Sequence, residues 1–472
     1  MKKFLNNSLL LLVALSMGLV SCNHEEKDFF DESAAERLEN SKEYFANILV
    51  DQGGKWQLEY FTTTGEPGYI YLFTFHKNGS VTISGENKYI GLLTNPNNKV
   101  PVYGSGDSMW EVITDDGPVL TFNTYNKYFH LFADPEDILD TEVDEQGYGH
   151  SGDYEFDLMK YSNDTLYIEG KKYGVHMIMT RLASDVDDHQ YLDEVVALKD
   201  SLFHAKIPTV YLNLPSGYRY VVTGGASLMM SFYPETGDAI SETESYNAVV
   251  THDGLSFMYP IQFTDSLSPD RTTYEVQTFK LAPDGSLVCR ENPEISFTAD
   301  ILNRLIVDPK LQWTLNANKS SEGGLMPHYT ELAAQLKAKN KNNSINKVAI
   351  YFDKTLGEEI DPVTHEHAGK FVLVVTIRVK PKTGNPQNMP CSFYYEPVLE
   401  GEDVISFKYN GEMDNYSNRY VQDYSKLLDM ANYLGSVKFK ISTASLLAPV
   451  LMTLTETGNA SNYIVVEASR RN

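Results

Sequence analysis

The feature that most constrains the fold is a long series of short segments in which apolar and polar residues alternate. In the segment 56–60, tryptophan, leucine and tyrosine alternate with glutamine and glutamate, the pattern of a half-buried strand. Similar segments lie at 69–75, 80–84, 109–113, 119–122, 128–132, 154–159, 165–168 and 175–180, separated by turn sequences such as Asn78-Gly79. Roughly nine short strands in about 130 residues, with no helical period between them, predict an antiparallel meander.

An open sheet of this kind exposes unpaired edges, so we predict a small closed barrel over residues 51–184 in a mainly β, β-rich α+β protein. Gly54-Lys55-Trp56 at the first strand and Arg181 at the end of the last are similar to the tryptophan and stacked arginine that close lipocalin-like barrels. The alternative is an ordinary core tryptophan and a rim arginine. Placement of the two residues at opposite ends of the domain would exclude the lipocalin-like interpretation.

Beyond the barrel, a helical period that begins with several acids predicts a linker helix over 185–205. The region 206–472 is again rich in strands and contains a few helices. Its predicted strands lie at 210–214, 218–222, 227–232, 274–281, 286–288, 348–352, 371–379, 405–409, 437–441, 450–455 and 463–467, and its helices at 299–305, 329–339 and 425–434. Trp313-Thr314-Leu315 echoes Trp56-Gln57-Leu58, so this region is one domain or two subdomains with a break near 310.

The N-terminus has the organisation of a secretory signal peptide over residues 1–21. A basic start, Met1-Lys2-Lys3, precedes a short apolar run at 9–15, which is too short to span a membrane. Leu19-Val20-Ser21-Cys22 resembles a bacterial lipobox, in which the thiol of Cys22 receives a diacylglyceryl group. The alternative is a non-lipidated signal peptide with a chance cysteine.

The residues after Cys22 predict a tether rather than a domain. Residues 22–50 begin with an acidic stretch and run into a short amphipathic helix. Acidic residues directly behind a lipidated cysteine resemble the signal that exports lipoproteins of Bacteroidetes-type bacteria to the outer face of the outer membrane. A solvated acidic tether is the alternative.

Composition excludes several classes of protein. The chain has 39 basic and 64 acidic side chains, a net charge of -25, so we predict no nucleic-acid partner. The mean hydropathy of -0.32 excludes a protein with several spanning helices. Cys289 and Cys391 remain in the mature chain without a C-x-x-C motif, which argues against a structural zinc site and leaves their pairing open.

No motif assigns a catalytic residue. The sequence contains no G-x-S-x-G, P-loop or Rossmann signature, and Gly149-His150-Ser151-Gly152 is interpreted as a turn. Paired carboxylates for glycoside hydrolysis cannot be identified by spacing alone. We therefore predict no cofactor and assign neither catalytic nor ligand-binding residues.

Two acidic segments raise the question of a metal site. Asp361-Pro362-Val363-Thr364-His365-Glu366-His367 places two histidines at i and i+2, which share a face only on a strand. The stretch from Asp134 to Glu145 is rich in acids but lacks the spacing of a calcium loop. We interpret the first as a solvated hairpin tip and the second as a surface loop, and predict no metal.

Aromatic residues are dense in two predicted strands. Tyr69, Tyr71, Phe73 and Phe75 occupy one strand, and the run 393–395 lies in another. Such residues form a barrel core and rim, or a platform that binds carbohydrate or peptide.

Several of these segments together resemble a Bacteroidetes-type outer-membrane lipoprotein family that carries a domain of unknown function. The residues that carry the resemblance are the lipobox, Lys55-Trp56-Gln57-Leu58-Glu59-Tyr60, Gly68-Tyr69-Ile70-Tyr71 with Phe75 and Asn78-Gly79, Asp153-Tyr154-Glu155-Phe156 and Gly170-Lys171-Lys172. The resemblance covers most of the N-terminal half. It implies a place in nutrient-uptake loci, beside TonB-dependent transporters and their surface binding lipoproteins, and implies no site residues.

The sequence thus favours a lipid-anchored protein on the outer membrane, facing the cell exterior, that serves as a non-catalytic binding or accessory component of glycan or peptide uptake. A second hypothesis is a cell-surface hydrolase with a dispersed acid pair or metal site in the C-terminal region. A third is a structural or adhesive surface protein. A convergent buried group of carboxylates or histidines in a C-terminal cleft would favour the hydrolase.

Overall fold

The computed structural model describes residues 32–63, 65–95, 97–98, 100–134, 150–204, 206–207, 209–236, 244–361, 366–381 and 383–471. The protein is mainly β, with 45% strand and 22% helix, and the described residues form three closed barrels of eight antiparallel strands each. The predicted fold class is therefore confirmed. The predicted signal peptide, Cys22 and the predicted acidic stretch after it lie outside the described residues.

The first barrel follows the chain from strand to neighbouring strand and closes when the last strand pairs with the first. Its strands are β1 (Lys55–Tyr60), β2 (Tyr69–Phe75), β3 (Ser80–Asn87), β4 (Val102–Thr114), β5 (Pro118–Phe122), β6 (Glu155–Ser162), β7 (Thr165–Gly170) and β8 (His176–Arg181). Helix α1 (Ala34–Val50) precedes the barrel, α2 (Lys88–Thr94) connects β3 to β4, and α3 (Asp188–Ser201) follows β8.

Helix α1 closes one end of this barrel over the predicted tryptophan–arginine pair. The guanidinium of Arg181 lies 4.2 Å from the centre of the Trp56 ring. It also donates hydrogen bonds to the carbonyls of Asp51 (2.8 Å) and Ile48 (3.2 Å), and the Trp56 indole donates to the carbonyl of Leu49 (2.9 Å). These bonds provide donors for carbonyls at and just after the C-terminal end of α1, where the regular pairing of each carbonyl with the amide four residues later ends. The stacking predicted for a lipocalin-like end is confirmed.

The second barrel also closes by pairing distant strands, with β9 between β10 and β16. Its strands are β9 (Val210–Asn213), β10 (Arg219–Thr223), β11 (Met229–Pro234), β12 (Tyr246–Thr251), β13 (Gly254–Thr264), β14 (Thr273–Leu281), β15 (Leu287–Cys289) and β16 (Ser296–Ala299). Helix α4 (Leu302–Ile306) follows it.

The third barrel begins at residue 311, close to the predicted break. Its strands are β17 (Leu311–Leu315), β18 (Ser344–Asp353), β21 (Lys370–Val379), β22 (Gln387–Glu400), β23 (Val404–Met413), β24 (Lys438–Thr443), β25 (Leu451–Glu456) and β26 (Asn459–Arg470). A small hairpin, β19 (Glu359–Asp361) and β20 (Glu366–His367), projects from it, and its helices are α5 (Leu325–Lys339), α6 (Asn415–Asp423) and α7 (Lys426–Ser436). Trp313 in β17 is fully buried, as Trp56 is in β1.

One predicted strand is wrong. The segment 128–132 contains a short 3-10 helix, His130–Phe132, in place of a strand. The side chain of Asn126 accepts hydrogen bonds from the backbone amides of Tyr128 (3.0 Å) and Phe129 (3.3 Å), which turns the chain at this point. The buried rings of Phe129 and Phe132 pack against Tyr60 and fill the barrel. The apolar residues that led to the prediction of a strand therefore fill the interior of the barrel.

Other differences concern elements whose apolar pattern is short or mixed. Helices α2 and α6 and strands β12 and β13 were not predicted, and the helix predicted at 299–305 begins only at Leu302, because Ser296–Ala299 is the last strand of the second barrel. Among the described residues, no helix has both the length and the apolar character needed to cross a membrane.

Candidate functional site

A cleft of about 710 Å³ lies between the first and second barrels. Its walls come from three parts of the chain: the β1–β2 loop with the start of α2, one face of α3, and the start of β11 with β12. A second hollow, of about 700 Å³, borders the C-terminal end of α1 and is lined mostly by that helix and the turn after β2. In the cleft between the barrels, elements that are distant in sequence bring several ionisable groups together.

Helix α3 is fixed to the first barrel by polar contacts at its start and apolar contacts further along. Asp187 caps the helix by accepting from the amide of Gln190 (2.9 Å). The carboxylate of Asp188 accepts from Lys55 Nζ (2.7 Å) and from Ser84 Oγ (2.8 Å). The predicted linker helix thus forms one wall of the cleft.

The second barrel is held against the first next to the cleft. The Gly68 amide donates to the carbonyl of Ala248 (2.9 Å). A Cβ at Gly68 would lie 2.6 Å from the Phe61 ring and 2.7 Å from the side chain of Val249, so the packing at this point requires glycine. Val249, in β12, is buried in the core of the first barrel, and the ring of Tyr191 stacks on His252 at 4.3 Å. The two barrels therefore share a packed interface beside the cleft.

A buried carboxylate organises the wall of the cleft that the first barrel forms. Glu66 accepts hydrogen bonds from the hydroxyls of Tyr89 (2.8 Å) and Tyr69 (3.1 Å), and His150 Nδ1 lies 2.8 Å from its Oε1. An ionised carboxylate can only accept, so Nδ1 is the donor in this contact. Burial opposes the charge, but the hydrogen bond and electrostatic attraction from His150, together with the two tyrosine hydrogen bonds, outweigh it and lower the pKa of Glu66. Glu66 is an ionised structural centre.

Two lysines face the same cleft. Lys88 begins α2 and Lys199 lies near the end of α3, and both side chains are exposed. Protein atoms crowd Lys199 within the concave wall and Lys88 repels it, so the pKa of its ammonium is lowered; the carboxylate of Asp200 offsets this only in part.

Three residues at the edge of the cleft are able to hold a cation. Ligand atoms of Glu86, His189 and Asp193 lie within 4.8 Å of one another. Burial and the facing carboxylate of Asp193 raise the pKa of Glu86, and the buried Oε2 of Glu86 has no hydrogen-bond partner in the described part of the chain. His189 and Asp193 are both exposed, so this cluster is an open one.

A similar cluster in the third barrel is already neutralised by the chain. Ligand atoms of His328, Glu331 and Asp429 lie within 4.8 Å of one another. Lys426 Nζ lies 2.8 Å from Glu331 Oε2 and 2.9 Å from Asp429 Oδ2, so an ammonium occupies the position of a metal cation. This arrangement does not favour the predicted hydrolase site.

None of the described residues of the two candidate metal segments lines the cleft, and other candidates lie outside the described residues. Cys22, residues 135–145 and residues 362–365 lie outside them, whereas Asp361 and His367 belong to the β19–β20 hairpin. His367 Nδ1 contacts the carbonyl of Gly357 at 3.0 Å. No metal cluster involves these two residues in the ranges that the structure covers.

The aromatic residues favour the core interpretation. The rings of Tyr69, Tyr71, Phe73 and Phe75 are all buried in the first barrel, and two of the three residues at 393–395 are buried in the third. These strands therefore offer no exposed platform.

The two remaining cysteines are free. Both side chains are buried, and burial raises the pKa of each thiol to about 12. Neither is poised to react at neutral pH.

The cleft residues were not identified from the sequence. Glu66 lies in a glycine-rich loop, Lys88 in the short helix α2, and Lys199 in a helix interpreted as a linker. Residues 66 and 88 are 22 positions apart, and residues 88 and 199 are 111 positions apart. No sequence motif links the three. The glycine-rich loop Gly65-Glu66-Pro67-Gly68 is the one local signal, because functional residues concentrate in loops held by a rigid scaffold.

Comparisons with known proteins return one family. A family model described as "Domain of unknown function (DUF4302)" matches residues 26–274. This range includes the whole first barrel and all three walls of the cleft. No curated protein matches the chain.

Three solved structures are similar only at a low level. They are a C. crescentus beta sliding clamp (11% identity, 88% of this chain and 91% of that chain, TM-score 0.11) and transferrin binding protein B from Haemophilus parasuis Hp5 (7% identity, 88% and 75%, TM-score 0.14). The third is transferrin binding protein B from serogroup B Neisseria meningitidis (8% identity, 88% and 76%, TM-score 0.13). At these scores the similarity carries no argument about fold or function.

Proposed function

The chain belongs to the DUF4302 family, a domain of unknown function, and from its cleft we propose that it is a non-catalytic binding protein that serves nutrient uptake. It is anchored through lipid on Cys22 to the outer membrane and faces the cell exterior. There it works beside a TonB-dependent transporter and that transporter's surface binding lipoprotein. A crosslinked pull-down from native outer membranes tests this partnership. Stoichiometric recovery of a transporter supports it, and recovery of the chain alone contradicts it.

The observation that carries the proposal is the cleft of about 710 Å³ between the first two barrels. Its volume is within the range of small-molecule sites, roughly 300–1,000 Å³, and it combines apolar walls with a few polar groups, as such sites do. The carboxylate of Glu66 is held by three internal donors, so it is committed to structure and is not available as a base or nucleophile. This supports binding without chemistry.

Filling the cleft is expected to abolish ligand binding. Ala226 is an exposed residue of the wall that the second barrel forms, so Ala226→Trp adds a large ring without disturbing a packed core. We expect at least a tenfold loss of affinity for whichever glycan or peptide fragment the wild-type protein binds in a screen by calorimetry. Ala317→Trp, in the short helix Ala317–Lys319 away from the cleft, is the control. Equal binding by wild type and Ala226→Trp would place the ligand elsewhere.

Membrane attachment is expected to depend on Cys22. One lipid chain gives only reversible binding, but a mature bacterial lipoprotein carries two or three chains, which hold it firmly. Cys22→Ala removes the attachment point, so the protein is expected to move from the membrane fraction to the soluble fraction and to lose incorporation of labelled palmitate. Cys289→Ala should change neither readout. A Cys22→Ala variant that stays in the membrane fraction would contradict the anchor.

A further inference from the structure

Some charged side chains that line the cleft have partners within the protein, and others have none among the described residues. Lys88 and Lys199 form no ion pair in the part of the chain that the structure describes, although 64 acidic side chains are available. Burial first, and then repulsion by Lys88, lower the pKa of Lys199. Two lysines without an ion pair that line one cavity in a protein of net charge -25 indicate that an anion completes the site.

The acids of the cleft do not take that role. Glu66 is committed to its three internal donors, and Glu86 faces Asp193 and His189 at the edge. Asp200 lies beside Lys199 in sequence but compensates it only in part. Asp200 already faces Lys199, and the Oε2 of Glu86, which has no partner among the described residues, lies at the edge, so the two ammonium groups are the cations that an entering anion meets.

The uncharged residues of the wall indicate the chemistry of the rest of the ligand. All three walls contribute apolar side chains, among them Leu92, Leu192, Val196, Met229 and Val250. The aromatic rings at the cleft, Tyr69 and Tyr89, are buried, and their hydroxyls are bound to Glu66. Neutral sugars are typically bound by exposed aromatic faces and free polar groups, whereas this wall suits a hydrocarbon surface.

We propose that the cleft binds a carboxylate with an aliphatic body, its carboxylate between Lys88 and Lys199 and its body against α3 and β12. This inference rests on the proposed function and specifies its ligand. Two sources share the chemistry: the free C-terminus of a short apolar peptide, and a fatty acid. Within the two nutrient classes predicted from the sequence, it favours peptide over glycan.

Matched acids and amides test the inference on the complete purified protein by calorimetry. One pair is decanoate and decanamide, and the other is an apolar tripeptide as free acid and as C-terminal amide. We expect at least one acid to bind at least tenfold tighter than its amide, and this preference to weaken as NaCl rises from 0.05 to 0.5 M, since salt screens charge attraction. The member that binds tells the two sources apart.

Replacement of both lysines should remove the preference for the acid. Lys88→Gln/Lys199→Gln is expected to bind acid and amide equally. The control is Lys127→Gln/Lys160→Gln, since these two lysines also lie over tyrosine rings of the first barrel, as Lys88 does, but do not line the cleft. Loss of the acid preference in the control as well would overturn the proposal.

The remaining outcomes separate this inference from the proposed function. If acid and amide bind equally and Ala226→Trp abolishes both, the cleft is a ligand site but the carboxylate inference is wrong. If neither pair binds while a glycan from the screen does so in an Ala226-dependent manner, the inference alone is again overturned. If no ligand responds to Ala226→Trp, both fail.

Discussion

Replacement of Glu66 by alanine is expected to lower the free energy of unfolding of the first barrel by about 3–5 kcal/mol, as for the loss of one partner of a buried polar network. The carboxylate accepts from Tyr69, Tyr89 and His150, and all four side chains are buried. Alanine leaves these donors without their acceptor and opens a cavity at the cleft wall. Glu66→Gln keeps the size but turns an amide donor toward other donors, so we expect an intermediate loss of about 2 kcal/mol.

Urea unfolding followed by tryptophan fluorescence measures this effect. Trp56 and Trp110 both lie in the first barrel, so a Trp313→Phe background restricts the signal to that barrel. Tyr89→Phe, which removes one donor, should cost about 1 kcal/mol, and Glu111→Ala at an exposed position of β4 in the same barrel should cost less than about 0.5 kcal/mol. A loss for Glu66→Ala no larger than that for Glu111→Ala would show that the network does not stabilise the fold.

The stability of the joined first and second barrels is expected to fall as pH rises from 4.5 to 7 because of Glu59. This side chain is 5% exposed, in β1, beside residues of the second barrel. Burial, and then the carboxylate of Asp253, raise its pKa to about 7 from an ordinary value of 4.5, while the Ser256 hydroxyl and Arg290 oppose the shift. A carboxyl group that holds its proton at this interface is uncommon and is sensitive to pH.

The sign follows from which state loses its proton first. Because the folded pKa is the higher one, the unfolded chain ionises first as pH rises. The stabilising contribution is complete below pH 4.5 and is lost as pH approaches 7, by about 3 kcal/mol at 1.36 kcal/mol per pKa unit. Glu59→Gln has no ionisable group at this position. Its free energy of unfolding should therefore fall about 3 kcal/mol less than that of wild type across this pH interval.

Urea titrations of wild type and Glu59→Gln at half-unit steps from pH 4.5 to 8 measure the difference. Glu111→Gln makes the same chemical change at an exposed position of β4 in the first barrel and should follow wild type at every pH. Parallel curves for wild type and Glu59→Gln would contradict a raised pKa at this position.

The first barrel could be predicted because its strands follow local rules. The alternation at 56–60 and the turn at Asn78-Gly79 depend on neighbouring residues alone, and both elements are present. The Trp56–Arg181 contact was predictable for a different reason: closure of a meander places its first strand beside its last, and these residues are directly opposite each other. The strand predicted at 128–132 was wrong because residues that fill the interior of a barrel are as apolar as residues of a buried strand.

The cleft could not be predicted because its parts have no local signature. Its charge pattern exists only after α3 and the start of β11 are placed against the first barrel, through contacts such as that of Gly68 with Ala248. The carboxyl group of Glu66 also resembles any exposed loop acid in the sequence, and only its three donors reveal that it is buried. The position of a helix or strand can be predicted from the periodicity of its residues. Which side chains come together in a site depends on how these elements pack against one another.

Hydrogen-exchange mass spectrometry of the complete protein, with and without the tightest ligand from the screen, tests the central claim that the cleft between the first two barrels is the binding site. We expect slower exchange in peptides covering 65–70, 86–92, 192–200 and 225–229, with no change in the third barrel, residues 311–470. Protection confined to the third barrel, or binding without protection of the four cleft segments, would contradict the claim.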